Sequence, residues 1–395
     1  METAELTALL TPEGLRLLDA LEAPDEADDV ARTVTRLRAD GHSPALVAAV
    51  VTQARLRARG RSKFGDLAQR MLFTRAGLEQ ATRLSIAVRH AARFREAGFT
   101  SVADLGCGIG GDALGLAGLG LRVAALDADE VTAAIAAYNL APFGDDVTVR
   151  HATAETFDPL SADAAWLDPA RRTAGHTETS RTRPEDWSPS LDWAFALAQR
   201  LPTGIKLGPG LDRALIPDDV EAQWVSADGS TIELVLWSGA LARPGVRRAA
   251  LVVRGDSSHE LTTAADAEDE PSRALGGFLH EPDGAVIRAR LIGDVARSLD
   301  AGMLDEHIAY LTSDTAVTSP FVSTFRVREE LPADAKRLGA ALRERGIGRL
   351  EIKKRGVDLD PAVLRRSLKL RGDEEATLIM TRVGAKRVAI LADRV

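Results

Sequence analysis

The sequence predicts a doubly wound α/β unit at the centre of the chain, preceded by a helical domain and followed by a small α+β domain. Three observations predict it. Apolar residues recur at three- and four-residue spacing up to about residue 95. Short apolar runs then alternate with helical stretches to about residue 245, and beyond Pro320 the order becomes strand, helix, strand, helix, strand, strand. A chain of 395 residues also exceeds one ordinary core, since domains hold about 100 to 200 residues. The expected division is 1–95 helical, 96–245 α/β, 246–319 a connecting region with an acidic loop, and 320–395 α+β.

In the first domain EGLRLLDALEA, DDVARTVTRLRADG and SPALVAAVVTQARLRARG read as helices, with Asp, Ser and Gly at their ends. In the second, SVADLG, RVAALD, VTVRHA and AAWLD read as strands separated by the helical DALGLAGLG and DEVTAAIAAYNL. That alternation implies a parallel sheet with helices on both faces. EAQWVSADGSTIELVLWSG reads as two strands joined across Asp228-Gly229, a hairpin that finishes the sheet. Residues 255–273 are acidic and poor in apolar side chains, the composition of an exposed loop. The last domain takes its strands from FRVREEL, RLEIKKRG, EATLIMTRV and KRVAILADR and its helices from PADAKRLGAALRERG and DPAVLRRSLKL.

Composition bounds the function. With 45% hydrophobic and 27% charged residues the balance is that of a globular protein. No apolar run approaches the roughly 20 residues that cross a bilayer. The start METAELTALLTPEGLRLL has acids where a secretory signal carries Lys or Arg, so a cytoplasmic protein without a membrane partner is expected. The single cysteine, Cys107, excludes an intrachain disulfide, and seven histidines without HExxH or Cys/His spacing leave no metal site expected. A net charge of −8 argues against a uniformly basic nucleic-acid binder, but the charge is dipolar. From Pro320 onward 18 Lys and Arg stand against 11 Asp and Glu, a balance of +7 that leaves −15 for the remainder.

The strongest motif is VADLGCGIGGDALGLA, a strand, a glycine-rich turn and a helix. Gly106, Gly108, Gly110 and Gly111 permit positive φ and close approach of a ligand, and the helix start offers free N–H groups. Gly106-x-Gly108-x-x-Gly111 also fits a dinucleotide fingerprint. Asp104 tips the reading: a dinucleotide strand usually has an apolar or small residue there, whereas a carboxylate suits the ammonium of a bound methionine moiety. A buried Asp that only caps the turn is the plainer alternative. Asp127, 23 residues after Asp104 and followed by Ala128, ends the second strand, where a carboxylate accepts from ribose hydroxyls. Asp129 reads as the cap of the next helix. Ala154 and Glu155 follow the third strand, where an adenine would lie. The fourth strand ends in Asp168-Pro169-Ala170-Arg171 at the carboxyl edge of the sheet, the ligand edge of open α/β folds. There one carboxylate and one carbonyl can face an amino group, and Arg171 and Arg172 can hold a phosphate.

Together these residues resemble the class I S-adenosylmethionine-dependent methyltransferases: D-L-G-C-G-I-G-G as first motif, A-A-L-D-A-D as second, and D-P-A-R in place of (D/N/S)-P-P-(Y/F/W). The resemblance covers roughly residues 65–245 and implies a Rossmann-like fold with S-adenosyl-L-methionine as cofactor. It is nearest the trimethylguanosine-synthase-like branch, by which Phe73, Thr74 and Gln80 would close over the cofactor. ERGIGRLEIKKRGVDLDP and ATLIMTRVGAKRVAIL are similar to the THUMP-like domain of bacterial methyltransferases. Relatives with true THUMP domains modify structured RNA, so the implied partner is RNA and the implied acceptor a nucleobase amine. D-P-A-R lacks the usual aromatic, for which Trp187 or Trp193 offers a stacking face. The expected catalytic residues are Asp168, Pro169 and Arg171, with Lys353, Lys354 and Arg355 leading an RNA-binding tail. A methyltransferase fold that only binds RNA, and a nicotinamide oxidoreductase, are the competing classes.

Overall fold

The computed structural model describes residues 1–24, 27–171, 187–266 and 268–395, with backbone alone at 27 and 171. It comprises two units, one of residues 1–207 with 217–220 and 236–242, the other of 208–216, 221–235 and 243–395.

The first unit opens with α1 (Thr3–Leu9), α2 (Pro12–Ala20), α3 (Ala27–Ala39) and α4 (Pro44–Phe64). Helix α4 begins because the Ser43 hydroxyl accepts from the Leu46 N–H and Pro44 fits the first turn. Its Val47 and Val51 pack on Leu37 of α3. Helices α5 (Arg75–Gln80) and α6 (Leu84–Glu96) lead into the sheet.

Strands β1 (Ser101–Leu105), β2 (Arg122–Asp127), β3 (Val147–His151) and β4 (Ala164–Leu167) are followed by the ribbon strands β5 (Ala170–Arg171) and β6 (Trp187–Ser188) and by β7 (Thr203–Leu207). Within this unit the order is β7-β4-β1-β2-β3, and each pair is parallel. Helices α7 (Gly111–Gly118), α8 (Glu130–Leu140) and α9 (Leu191–Ala198) make the connections. Because β2 and β3 extend to one side of β1 and β4 and β7 to the other, the topological switch lies between β1 and β4, where such sheets bind ligands beyond their carboxyl ends. The central strands β1, β4 and β7 are almost wholly buried because they read as near-continuous apolar runs, whereas β3 at the edge is largely exposed. Trp166 and Trp237 lie 5.7 Å apart with Phe94 edge-on to both.

Strands β8 (Glu221–Ala227) and β9 (Ser230–Trp237), which belong to the second unit up to Val235, form the expected hairpin. Asp228 at φ 50 and Gly229 at φ 82 supply the paired positive φ of a type I′ turn. The sheet does not finish there. Strand β10 (Arg248–Arg254) pairs parallel with β8, and β11 (Ser257–Thr263) pairs antiparallel with β10 from Arg248↔Thr263 to Arg254↔Ser257. The expected loop 255–273 therefore begins as a strand. Its polarity misled because β11 is an edge strand with mostly exposed side chains.

Beyond it come β12 (Phe278–Pro282), α10 (Gly284–Arg288), α11 (Ile292–Ser298), β13 (Gly302–Asp305) and β14 (Ile308–Ser313). Then follow β15 (Val322–Leu331), α12 (Ala335–Glu344), β16 (Ile347–Lys354), α13 (Pro361–Leu368), β17 (Glu374–Val383) and β18 (Lys386–Arg394), in the expected order. One sheet ordered β13-β14-β12-β15-β18-β17-β16 joins them, so strands from 278–313 pair with those of the C-terminal segment. Alternation along β17 sorts Leu378 and Met380 into a core with Leu338, Leu342 and Leu364 of α12 and α13, and Ile379 into a second with Tyr310 and Phe325.

Candidate active site

Strand β1 runs through Asp104 into the turn Gly106–Gly110 and then α7. Gly106 has φ +92, and a Cβ there would stand 3.0 Å from the carbonyl oxygen of Asp168, so glycine alone meets both demands. The Gly108 N–H donates to Asp127 Oδ2 at 2.9 Å and the Asp129 N–H to Asp127 Oδ1 at 2.9 Å. Burial pushes the Asp127 carboxyl up, and these two donors pull it back. A carboxylate has about four lone-pair sites, so acceptor capacity remains for a pair of hydroxyls. Asp129 caps α8, its Oδ1 accepting from the Thr132 N–H at 2.8 Å. Ala128 is exposed beside it. Beyond β3 a short 3₁₀ turn, Ala154–Thr156, buries Ala154 and leaves Glu155 exposed.

Asp104 is only 1% exposed, and neither carboxyl oxygen has a hydrogen-bond partner among the described residues. Burial, then the charges of Asp112 and Asp168, push its carboxyl well above the usual range, with Lys206 opposing them. A buried unpaired acid costs stability, and such groups concentrate where a ligand supplies the missing partner. An ammonium group against the glycine turn would be such a partner, so the residues present fit an amino-acid moiety.

Opposite stands a second cluster that the motifs did not indicate. Asp112, in the first turn of α7, lies 2.9 Å from His90 Nδ1 and accepts from the Thr82 hydroxyl at 2.7 Å. Lys206 of β7 reaches Asp168 Oδ2 at 2.5 Å, the Thr82 hydroxyl at 2.8 Å and Asp112 Oδ2 at 3.7 Å. Burial raises the Asp112 carboxyl, but Lys206 and His90 together hold it well below the ordinary range. Behind it the His90 ring stacks 4.4 Å from Trp166.

Asp168 follows β4 with its side chain a third exposed, and Pro169 beside it is buried. The backbone of Arg171 pairs with Trp187 in the β5–β6 ribbon; its side chain and Arg172 lie outside the described residues. Trp187 is buried and Trp193 partly so. Phe73 is not brought to the site by its side chain: the ring is fully buried, 5.8 Å from Phe64. Its backbone is gripped instead, because Gln53 of α4 accepts from the Phe73 N–H at 3.0 Å and donates to its carbonyl at 2.6 Å. Asn139 of α8 bonds both the backbone of Leu72 and the carbonyl of Ile109, fastening this segment to the glycine turn. Thr74 caps α5, and Gln80 ends it, exposed.

Comparison with known proteins gives the family. Two curated relatives, both uncharacterized S-adenosylmethionine-dependent methyltransferases from two strains of Mycobacterium tuberculosis, are 35% identical over 343 residues, 84% of this chain and 91% of theirs. The chain belongs to the S-adenosylmethionine-dependent methyltransferases. Its cofactor is S-adenosylmethionine, and the nicotinamide reading falls. The methyltransferase also matches a THUMP domain-like family over residues 322–394 and a domain of unknown function (DUF8688) over residues 2–60. A crystal structure from Porphyromonas gingivalis W83, provisionally described as a methyltransferase, superposes with a TM-score of 0.72 at 22% identity. The alignment covers 94% of this chain and 99% of that one, showing a shared fold. Among the described residues no helix is long and apolar enough to cross a membrane.

Sequence reasoning missed Lys206, Thr82, His90, Asp112, Gln53 and Asn139. Lys206 carried a signal, a lone cation inside the apolar strand TGIKLG. Asp112 directly follows the last glycine of the motif. The others are ordinary helix or loop positions until the fold brings them together.

Proposed function

We propose that this methyltransferase modifies a nucleobase amine in RNA, binding its cofactor over Gly106–Gly110 and its acceptor at Asp168-Pro169. The observation that carries the site assignment is Asp104, a buried carboxylate with both oxygens unpartnered beside a glycine turn. Asp104 would receive the cofactor's ammonium. Gly106, Gly108 and Gly110 would admit the backbone close to it, and Asp127 with Ala128 would meet the ribose. Ala154 and Glu155 would border the adenine. Phe73 and Thr74 would contribute through a segment fixed by Gln53 and Asn139 rather than through the Phe73 ring.

When bound, S-adenosylmethionine supplies a methyl group on a sulfonium, which passes to the amine as the C–S bond breaks and an N–C bond forms. The protein's task is then alignment, which can lower a barrier by about 7 to 11 kcal/mol. Asp168 and the Pro169 carbonyl would accept the amine's N–H bonds and so aim its lone pair. Asp168 can take the departing proton late and return it to water. Arg171, whose backbone the ribbon fixes, is the proposed phosphate partner. The RNA class is supported by the THUMP domain-like match and by the positive balance of the same segment. The test is transfer of tritiated methyl groups to RNA from a strain lacking this protein. Incorporation into that RNA but not into wild-type RNA is expected, and equal labelling of both would remove RNA as the substrate.

A further inference from the structure

We propose that Lys206 is a positioning residue for methyl transfer, holding the Asp168 carboxylate in place and keeping it charged at the acceptor edge of the sheet. The inference rests on the assignment of Asp168 to the acceptor and adds a group that no sequence motif contains. Lys206 is the fourth residue of β7, two strands from β1. Its side chain is 11% exposed, and the ammonium is 2.5 Å from Asp168 Oδ2. A second anchor comes from the Thr82 hydroxyl at 2.8 Å, and Asp112 Oδ2 lies 3.7 Å away.

Three separate elements therefore converge on one ammonium: the end of β4 through Asp168, the loop before α6 through Thr82, and the first turn of α7 through Asp112. Thr82 donates its own proton to Asp112, so its oxygen lone pairs face Lys206. The hydroxyl consequently has one orientation, and the ammonium is directed toward Asp168.

The electrostatic need is plain. Asp104 from β1, Asp112 from α7, Asp168 beyond β4 and Asp127 from β2 all act on this small volume. Carboxylates so placed cannot all ionise without a cation. His90 of α6 faces Asp112. Lys63 of α4 is close enough to Lys206 for the two to repel, while its own ammonium donates to the carbonyls of Glu79 and Ala81. Among the described residues Lys206 is a cation in direct contact with Asp168. An acceptor amine approaching this edge meets a carboxylate whose position β7 determines, so the rate depends on a residue that needs no contact with the acceptor.

The experiment compares Lys206→Gln, Lys206→Arg, Thr82→Val and Asp168→Asn with the wild-type protein, using RNA from the deletion strain and tritiated cofactor over pH 5 to 9. Lys206→Gln is expected to lower kcat by about tenfold or more with little change in KM for RNA. It should also move the acid limb of the pH–rate profile upward, because loss of the cation favours the protonated acid. Lys206→Arg should hold that limb near its wild-type position and recover part of the rate. Thr82→Val keeps every charge and removes only an anchor, so it should lower kcat several-fold without moving the limb. This variant keeps the test decisive if Lys206→Gln does not fold. S-adenosylhomocysteine binding by calorimetry should not weaken in Lys206→Gln or Thr82→Val. An inactive Asp168→Asn beside wild-type rates in Thr82→Val and an unmoved limb in any folded Lys206→Gln would overturn the role of Lys206 alone. An active Asp168→Asn would overturn the acceptor assignment beneath it.

Discussion

The active-site cluster and the C-terminal segment treat charge in opposite ways. The C-terminal segment holds the chain's excess of cations, yet many are paired: Arg345 with Glu329 at 2.6 Å and Arg349 with Glu375 at 2.7 Å within it, and Lys353 with Glu281 of β12 at 2.7 Å. The site belongs to the acidic part of the sequence, yet it leaves Asp104 buried and unpaired. Net charge therefore marks a region, whereas an unpaired charge marks a site. Surface pairs contribute about 0 to 1 kcal/mol each; a buried acid without a partner costs more and persists where a ligand repays it.

The largest effect should come from Asp168. Asp168→Ala is expected to lower turnover about a hundredfold or more, the scale of positioned acid–base groups, with S-adenosylhomocysteine affinity changed less than about threefold. Calorimetry beside a single-turnover assay separates the two. Affinity lost in step with rate would place Asp168 on the cofactor side and blur the contrast between the two carboxylates.

Asp104 comes next. Asp104→Ala should weaken S-adenosylhomocysteine binding by about 1.5 to 3 kcal/mol, the value of a hydrogen bond to a charged group, which is roughly tenfold or more. Asp104→Asn sharpens the comparison through stability. An acid whose folded pKa is raised binds its proton more tightly when folded, so the cost to stability grows as pH rises from the ordinary carboxylate range toward the raised value. Free Asp104→Asn should therefore melt higher than wild type at neutral pH, by about 3 °C on the usual conversion, and lose that advantage near pH 4. A melting temperature below wild type at every pH would show that Asp104 has a partner within the protein.

The same shift predicts proton release. Ammonium binding favours the charged carboxylate, so below the raised pKa of Asp104 the protein must give up a proton when the ligand enters. S-adenosylhomocysteine affinity should rise with pH until Asp104 is ionised and then level off. Binding heats measured in buffers of different ionisation enthalpy should reveal the proton in wild type and not in Asp104→Asn.

Much of this was legible beforehand, for identifiable reasons. The glycine turn, Asp104, Asp127 and Asp168-Pro169 are contiguous in sequence with the strands that carry them, so a local pattern contains both element and chemistry. The capping role of Asp129 and the I′ turn at Asp228-Gly229 were likewise local. Lys206, Thr82, His90 and Asp112 meet only because β7, α6 and α7 converge on β4 and β1, and no short window contains that information. The direction of the Phe73 ring was not legible for a related reason: it packs on Phe64 of another element, α4, while Gln53 of the same helix holds its backbone. Strand β11 was missed because an exposed edge strand has no apolar period to read.

The tail yields the smallest effect and the most direct test of the comparison. Lys353, Lys354 and Arg355 looked like one basic run, but the strand divides them. Lys353 bonds Glu281, Arg355 donates to the Ala309 carbonyl and lies over the Tyr310 ring, and Lys354 is left exposed. Arg365, Arg366 and Lys369 on and beyond α13 are exposed and have no ion pair among the described residues. Each phosphate contact by a cation adds about 0.7 to 0.9 to the slope of log affinity against log salt, and a cation already held by a carboxylate adds little. Neutralising Arg365, Arg366 and Lys369 to Gln should therefore weaken RNA binding several-fold at 0.1 M salt and lower the slope by about 2. Neutralising Lys353 and Arg355 should leave the slope nearly unchanged and instead lower the melting temperature, because Glu281 loses both its cations. Filter binding across a salt series measures both slopes. If the paired set changes the slope and the unpaired set does not, pairing in the free protein does not decide which cations meet RNA, and the contrast drawn between tail and site fails at its weaker end.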